Sequence, residues 1–297
     1  MLDPTDVEIL KILTYNSRTS YTDIAASVGL TVNAVKSRIN DIVESTAIEN
    51  FLAIPNFGIL GFKFSHSYLI KHDGKSDQLA TCLSPLGYVY MQIDFFDDTS
   101  LLRVLLKDEK KISNEMVNKL VKPHQIMRSF DERLSSDFLP SQTDWKIIKY
   151  LILEPRIRII DLAQKTSMSE KTIIRRLEVL SKNRILDFTI QYNPAAMTHY
   201  LYSRIIVIVE QSSRDNAMKK IFDQIKDHFL CPVPPNSESM ISLILYAKNI
   251  PEIESVKNEI RNIKGVIHVV SRMPVRTTFN QKPLIDEIDK KIQSFKI

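Results

Sequence analysis

Glycine is scarce: only six are spread over the 297 residues, which leaves little room for flexible or low-complexity linkers. Cysteine is scarcer still. Cys82 and Cys231 stand far apart without the spacing of a zinc site, so both read as core thiols in a reducing compartment, and no disulfide framework is expected. There is no glycine-rich phosphate loop and no nucleophile motif. The six histidines, His66, His72, His124, His199, His228 and His268, fall into no metal-ligand spacing. Apolar runs such as residues 241–247 stop far short of the ~20 residues a membrane-spanning helix requires. The first ten residues carry Asp3, Asp6 and Glu8 where a signal peptide needs basic residues and then an apolar run. These absences set expectations of no cofactor, no membrane partner and a cytoplasmic location.

What is present is an ordinary globular composition. Hydrophobic residues at 44% and charged residues at 25% suffice for a packed core, and the length is about twice that of one domain, so two or more cores are expected. A net charge of +5 permits contact with a polyanion without requiring it, so the placement of charge has to decide.

The chain repeats itself. At an offset of 138 residues Thr5 aligns with Thr143, Asp6 with Asp144, Ile9 with Ile147, Lys11 with Lys149 and Leu13 with Leu151. The match continues through Arg18/Arg156, Asp23/Asp161, Ala25/Ala163 and Arg38/Arg176, while Val35/Ile173, Ile39/Leu177 and Ile42/Leu180 keep their apolar character.

Each copy opens with an amphipathic helix, capped in the first by Thr5 or Asp3 and beginning in the second near Thr143, where it must end before Pro155. A second helix over residues 21–28 leads to Gly29-Leu30 and then Thr31, which suits a C-cap, a tight turn and the N-cap of a third helix. That is helix-turn-helix spacing. In the second copy residues 159–166 lead through Ser167-Met168 to Ser169, a weaker turn signal because serine replaces glycine.

The third helices, residues 31–44 and 169–182, turn Val35, Ile39 and Ile42, or Ile173, Leu177 and Leu180, toward the core. Their outer faces then carry Asn33, Lys36, Ser37 and Asn40, or Lys171, Ile174, Arg175 and Glu178. In a major groove Lys and Arg donate to guanine, Asn pairs with adenine, and an apolar side chain touches the thymine methyl. Arg38 and Arg176 flank the core stripe, and two roles stay open for each: a phosphate contact or a structural ion pair. Thr31, Ser169, Thr172 and Lys182 complete the candidate DNA contacts. The modules differ in charge. Residues 1–60 hold seven acids against four bases, and residues 143–193 six acids against ten bases, so phosphate attraction favours the second module.

Beyond each third helix the chain turns extended, over residues 49–54 and 56–62, then over 186–192, as a connecting strand or wing. Residues 203–273 follow the order βαββαβ, and residues 64–130 fit the same order more faintly. The fold class is therefore α+β: two winged helix-turn-helix domains, each followed by a ferredoxin-like βαββαβ domain with helices on one face of an antiparallel sheet. The expected layout is residues 1–60, 61–138, 139–195, 196–280 and a C-terminal amphipathic helix over 281–297. Leu284, Ile285, Ile288, Ile292 and Phe295 give that tail its helical spacing, and it either latches onto its own domain or pairs chains.

Residues 2–10, 18–28 and 31–39, together with Lys264-Gly265-Val266 before the last strand, resemble the leucine-responsive regulator/AsnC family, twice over. The resemblance implies a DNA-binding transcription regulator whose ferredoxin-like domains serve effector binding and oligomerisation. The partners it implies are double-stranded DNA, a small-molecule effector, and either an internal pseudo-dimer or a homodimer. In the family a glycine-containing approach to the third strand forms part of an amino-acid pocket. Here Asn236, Ser237, Glu238 and Ser239 occupy it, and they are the effector contacts the resemblance implies. The first copy has Asp97-Asp98-Thr99-Ser100 instead. Siroheme decarboxylases look like the same family and use two such modules, so a fused enzyme of that kind is an alternative. An adaptor that has lost DNA contact is another.

Overall fold

The computed structural model of the chain describes residues 2–108, 112–197, 199–224, 229–232 and 239–295. The first half runs α1 (Pro4–Tyr15), α2 (Tyr21–Val28), α3 (Val32–Glu44), β1 (Ile48–Pro55), β2 (Phe64–Lys71), α4 (Leu79–Leu83), β3 (Tyr88–Phe95), β4 (Thr99–Leu106), α5 (Asn114–Val121) and β5 (Gln125–Arg133). The second half repeats the order as α6 (Gln142–Leu153), α7 (Ile159–Thr166), α8 (Glu170–Lys182), β6 (Leu186–Tyr192), β7 (Leu201–Val209), α9 (Arg214–Gln224), β8 (Phe229–Pro232), β9 (Met240–Ala247), α10 (Ile250–Arg261) and β10 (Val266–Arg272). It then adds β11 (Pro274–Phe279) and α11 (Lys282–Gln293). Among the described residues no helix is long and apolar enough to cross a membrane.

Local chemistry sets the helix limits. Asp3, not Thr5, caps α1, and it exchanges hydrogen bonds with Asp6 in a capping box. The second copy uses the same device two residues before Thr143: Ser141 caps α6 and pairs with Asp144. Gly29 ends α2 at φ 69°. Ser167 takes the same left-handed turn at φ 58° without a glycine, so the turn forms despite the cost that a side chain brings there. Residues 56–62 are not extended as expected. They hold a 3-10 turn over Phe57–Leu60, because the Asn56 side chain accepts a hydrogen bond from the Gly58 N–H at 2.9 Å and Gly61 closes the turn at φ 86°.

Both ferredoxin-like sheets are antiparallel, with strand orders β5-β2-β4-β3 and β10-β7-β9-β8. The helix-turn-helix cores cross over between the halves. The α1–α3 core merges with Tyr192, Tyr202, Ile244 and Tyr246 of the second half, whereas the α6–α8 core merges with Phe57, Tyr90, Ile93 and Phe95 of the first. The two halves therefore share cores, and each module is anchored on the sheet of the other copy.

The connecting segments explain the crossing. Among the described residues, each module is followed by a single strand, and β1 pairs antiparallel with β6. Phe51 lies opposite Ile190 and Leu52 opposite Thr189, while the repeat offset equates Phe51 with Thr189 and Leu52 with Ile190. Exchanging the two copies leaves this register unchanged over residues 50–53, and a bulge between Ile48 and Asn50 breaks it at the end of the ribbon, so the two-fold axis between the central pairs is local.

Two repeat-equivalent arginines meet beside this axis. Arg18 donates to the carbonyls of Pro155 (2.6 Å) and Ile157 (3.1 Å) and lies over Phe188. Arg156 sits between Tyr21 and Phe51, 4.9 and 5.0 Å from the ring centroids, and its buried Nη1 has no hydrogen-bond partner among the described residues. Burial lowers the pKa of both, and the Arg156 charge lowers that of Arg18 further. Equivalent substitutions are thus expected to differ. Arg18→Met loses charged hydrogen bonds and should cost about 2 kcal/mol, while Arg156→Met trades a cation–π contact for the relief of an unpaired buried donor and should stay within about 1 kcal/mol of the parent. Urea unfolding of both variants measures the contrast, and equal losses would contradict it.

The last two elements strap the second half to the first. β11 extends the first sheet along β3, and α11 buries Leu284 and Ile288 against α6, where Lys149 donates to Asp289 at 2.6 Å. The C-terminal helix therefore latches onto the second helix-turn-helix of its own chain. Within the strap, Arg276 donates to the buried Asp94 at 2.8 Å. Burial acts to raise the Asp94 pKa, but hydrogen bonds from Ser100, Gln92 and Arg276 outweigh it and hold the carboxyl below its usual range. A carboxyl depressed in the folded state contributes stability above its unfolded pKa of about 3.9, and that stability is lost as pH falls through the folded value. Asp94→Asn is expected to lower stability near neutrality and to flatten its acid decline below about pH 4. Urea midpoints measured across the acid range test this, and an unaltered acid limb would contradict it.

Candidate nucleic-acid interface

The surface of interest is built from α3 and α8. Helix α3 buries Val35, Ile39 and Ile42, which leaves Asn33, Lys36, Ser37 and Asn40 exposed along its outer side. Helix α8 buries Ile173 and Leu180 and half-buries Leu177, and its exposed side carries Lys171, Ile174, Arg175, Glu178 and Lys182. The outward faces deduced from a 100° turn per residue are the faces that solvent reaches. Ile174 is 47% exposed, among cations.

The helix starts spend their hydroxyls locally. Thr31 Oγ1 accepts from the Ala34 N–H and Ser169 Oγ from the Thr172 N–H, both at 3.2 Å, and the Ser169 and Thr172 hydroxyls share a 2.9 Å hydrogen bond. These three set where each helix begins, and so orient the residues one turn later.

Of the two roles open to Arg38 and Arg176, the structure shows the structural ion pair. Arg38 Nη1 donates to Asp3 at 2.8 Å and Asp6 at 2.7 Å, and Arg176 grips Asp144 through Nε at 2.7 Å and Nη2 at 2.6 Å. Hydrogen bonds to these carboxylates raise both guanidinium pKa values. The physical reason is proximity: a stem lying along the core stripe brings the guanidinium to the capping-box acid of the first helix, and the side chain of Asp144 is fully buried. The signal was in the repeat, since Asp6 and Arg38 stand 32 residues apart, as do Asp144 and Arg176.

Other cations of the second module are also engaged inside the protein. Lys149 pairs with Asp289, Arg158 with Asp161 and Lys165 with Glu154, while Arg156 is held in the junction between modules. Among the described residues Lys171, Arg175 and Lys182 have no carboxylate partner, and they lie on one helix. In the first module Lys36 is exposed on α3 and has no carboxylate partner among the described residues, with Asp41 and Glu44 exposed on the same helix. Among the described residues Lys146 and Arg184 also lack an ion pair, so the charge contrast between the modules rests mainly, not wholly, on α8 against α3.

The effector positions give less. Asn236, Ser237 and Glu238 lie outside the described residues; Ser239 is exposed, and its carbonyl accepts from the Val209 N–H at 3.0 Å. In the first copy Asp97, Thr99 and Ser100 are taken up by Arg272, Asp94 and His72. Among the described residues no group of three metal-ligating side chains comes together. His66 pairs with Asp131, and His72 meets Ser100 and accepts from the Gly74 N–H.

Comparison with known proteins agrees with this geometry. Residues 2–41 match the AsnC-type helix-turn-helix domain, and residues 140–186 match a winged helix-turn-helix DNA-binding domain. An uncharacterised HTH-type transcriptional regulator of Pyrococcus horikoshii is 35% identical over 74 residues, which are 25% of this chain and 50% of that protein. One from Pyrococcus abyssi is 23% identical over 138 residues, covering 46% of this chain and 93% of its own. The chain thus spans about half the length of the first of these relatives. Among solved structures, the siroheme decarboxylase NirDL covers 97% of this chain and 99% of its own at 14% identity and a TM-score of 0.49, too distant for its chemistry to be carried across.

Proposed function

We propose, from two helix-turn-helix modules of which the first is of the AsnC type, that the chain is a sequence-specific DNA-binding transcription regulator carrying both of its recognition helices in one polypeptide. The symmetric register of the β1–β6 ribbon is the observation that carries the proposal. Homodimeric readers present two equivalent helices to two half-sites about one helical turn apart. A local two-fold between covalently joined copies offers the same arrangement without a second chain. It is an internal pseudo-dimer.

The two helices are unlike, so the site they read is unlike in its halves. Lys171 and Arg175 suit guanine, with Ile174 beside them for a thymine methyl, whereas Asn33 and Asn40 suit adenine. The free cations of α8 make the second module the stronger anchor, and the first adds register and sequence preference through tethering. Native mass spectrometry of the full chain with a bound duplex tests the stoichiometry. One chain per duplex is expected. A complex that forms only with two chains would assign the helices to a homodimer instead.

A further inference from the structure

A cavity at the centre of the molecule is bordered by both sheets, by the β1–β6 ribbon and by the β11 strap. Its inner space is about 50 Å³, within a hollow of about 550 Å³ that includes open solvent at its mouth. A water needs roughly 10–15 Å³ on this kind of measure, so the inner space takes about four such groups at most, and any larger molecule extends from it into the surrounding hollow.

The lining has a definite chemistry. Ile93 and Ile244 give it apolar walls, and the guanidinium-bearing side chains of Arg103 and Arg204 reach it from opposite sheets. Arg103 is anchored by donating Nε to Ser65 and Nη2 to Glu132, at 2.7 and 2.5 Å. Burial lowers the Arg204 pKa to about 10, so this side chain remains cationic at neutral pH. The Tyr90 hydroxyl is the telling group. Tyr90 is 1% exposed, its Oη has no hydrogen-bond partner among the described residues, and the Arg103 charge lies close enough to act on it. A buried hydroxyl left without a partner costs about 1–3 kcal/mol, and such a group in a native core calls for an explanation. Among the described residues no Asp or Glu lines the cavity, so no carboxylate there offsets the charge of an ammonium group beside the two guanidiniums.

We propose that this cavity binds a short, branched carboxylate without an amino group, whose anion is received by the Tyr90 hydroxyl and the Arg103 and Arg204 guanidiniums while its alkyl end fills the space beside Ile93 and Ile244. The bound molecule bridges the two sheets, the ribbon and the strap, the parts that hold the helix-turn-helix modules in place. Its regulatory role rests on the DNA-binding function proposed above. Its binding does not.

Isobutyrate, isobutyramide and alanine serve as probes, titrated calorimetrically into the full chain without DNA. Isobutyrate is expected to bind saturably, and the neutral amide and the amino acid at least about tenfold more weakly, since a charge-assisted hydrogen bond is worth more than that ratio. Tyr90→Phe removes only an unpartnered hydroxyl, so it should leave the thermal midpoint unchanged or higher while weakening isobutyrate about tenfold. Ile244→Phe, which fills the space, should abolish binding. No saturable isobutyrate binding, equal binding of the amide, or unchanged affinity in Tyr90→Phe would each overturn the proposal. Titration of duplex DNA is a separate readout: a chain that binds isobutyrate but no DNA keeps the cavity assignment and loses the regulatory one.

Discussion

Replacing Asp144 by alanine is expected to destabilise the second helix-turn-helix by about 4 kcal/mol, a large part of what holds a domain folded. Its buried carboxylate accepts both arms of Arg176 and also closes the capping box on Ser141, taking the Ser141 N–H and hydroxyl at 2.8 and 2.7 Å. Deleting it leaves a guanidinium against the core without its counter-charge and strips the start of α6. The first module contains its own control. Arg38 is shared between Asp3 and Asp6, so Asp6→Ala leaves one carboxylate in place, and about half the loss is expected. The readout is built in, because the single tryptophan, Trp145, lies buried in α6. Urea unfolding followed by tryptophan emission should show an early transition in Asp144→Ala and none in Asp6→Ala. Coincident curves for the two variants would contradict the assignment of Arg176.

Lys171→Ala combined with Arg175→Ala is expected to weaken operator binding by about 3 kcal/mol or more, at least a hundredfold in Kd. Both residues stand exposed on α8 without a carboxylate partner, so their removal should leave the thermal midpoint unchanged. Lys36→Ala removes the corresponding free cation of α3 and should cost about tenfold. If either α8 side chain touches phosphate rather than a base edge, the slope of log affinity against log salt falls by about one for each phosphate no longer neutralised. An unchanged affinity in the double variant, with Lys36→Ala abolishing binding, would reverse the ranking of the modules.

Much of this was legible in the chain. The apolar stripes of the third helices, the turn residues and the βαββαβ order are local patterns, set by residues close in sequence, and they emerge where the spacing puts them. Gly29 marked its turn by chemistry; Ser167 marked it more weakly and still turns, its N–H closing α7 on the Ala163 and Gln164 carbonyls. Residues 56–62 misled because Phe, Ile and Leu favour strands, whereas the Asn56 side chain and Gly61 fold them into a single turn. What the sequence does not display is pairing at a distance. Nothing local in β1 says that its partner is β6, since both strands offer an apolar face and an open edge, and nothing in β11 says that it joins the sheet of the other half. Arg38 and Arg176 lie between these cases. Their position beside the core stripe allowed a phosphate or a carboxylate, and the choice was made by the capping-box acids one helix away. At the interface, the exposed faces of α3 and α8 were readable from helical periodicity. Which cations of the second module remain free was not, because the partners of Lys149 and Arg156 come from α11 and from the first module.

The central claim, that one chain reads DNA through two unlike recognition helices, is tested most directly by selecting bound duplexes from a random pool at low protein concentration and sequencing them. The account predicts a motif of two different half-sites about one helical turn apart, the stronger half rich in guanine and absent when the Lys171→Ala, Arg175→Ala variant is used. A palindromic motif, or a pool that is not enriched at all, would contradict it.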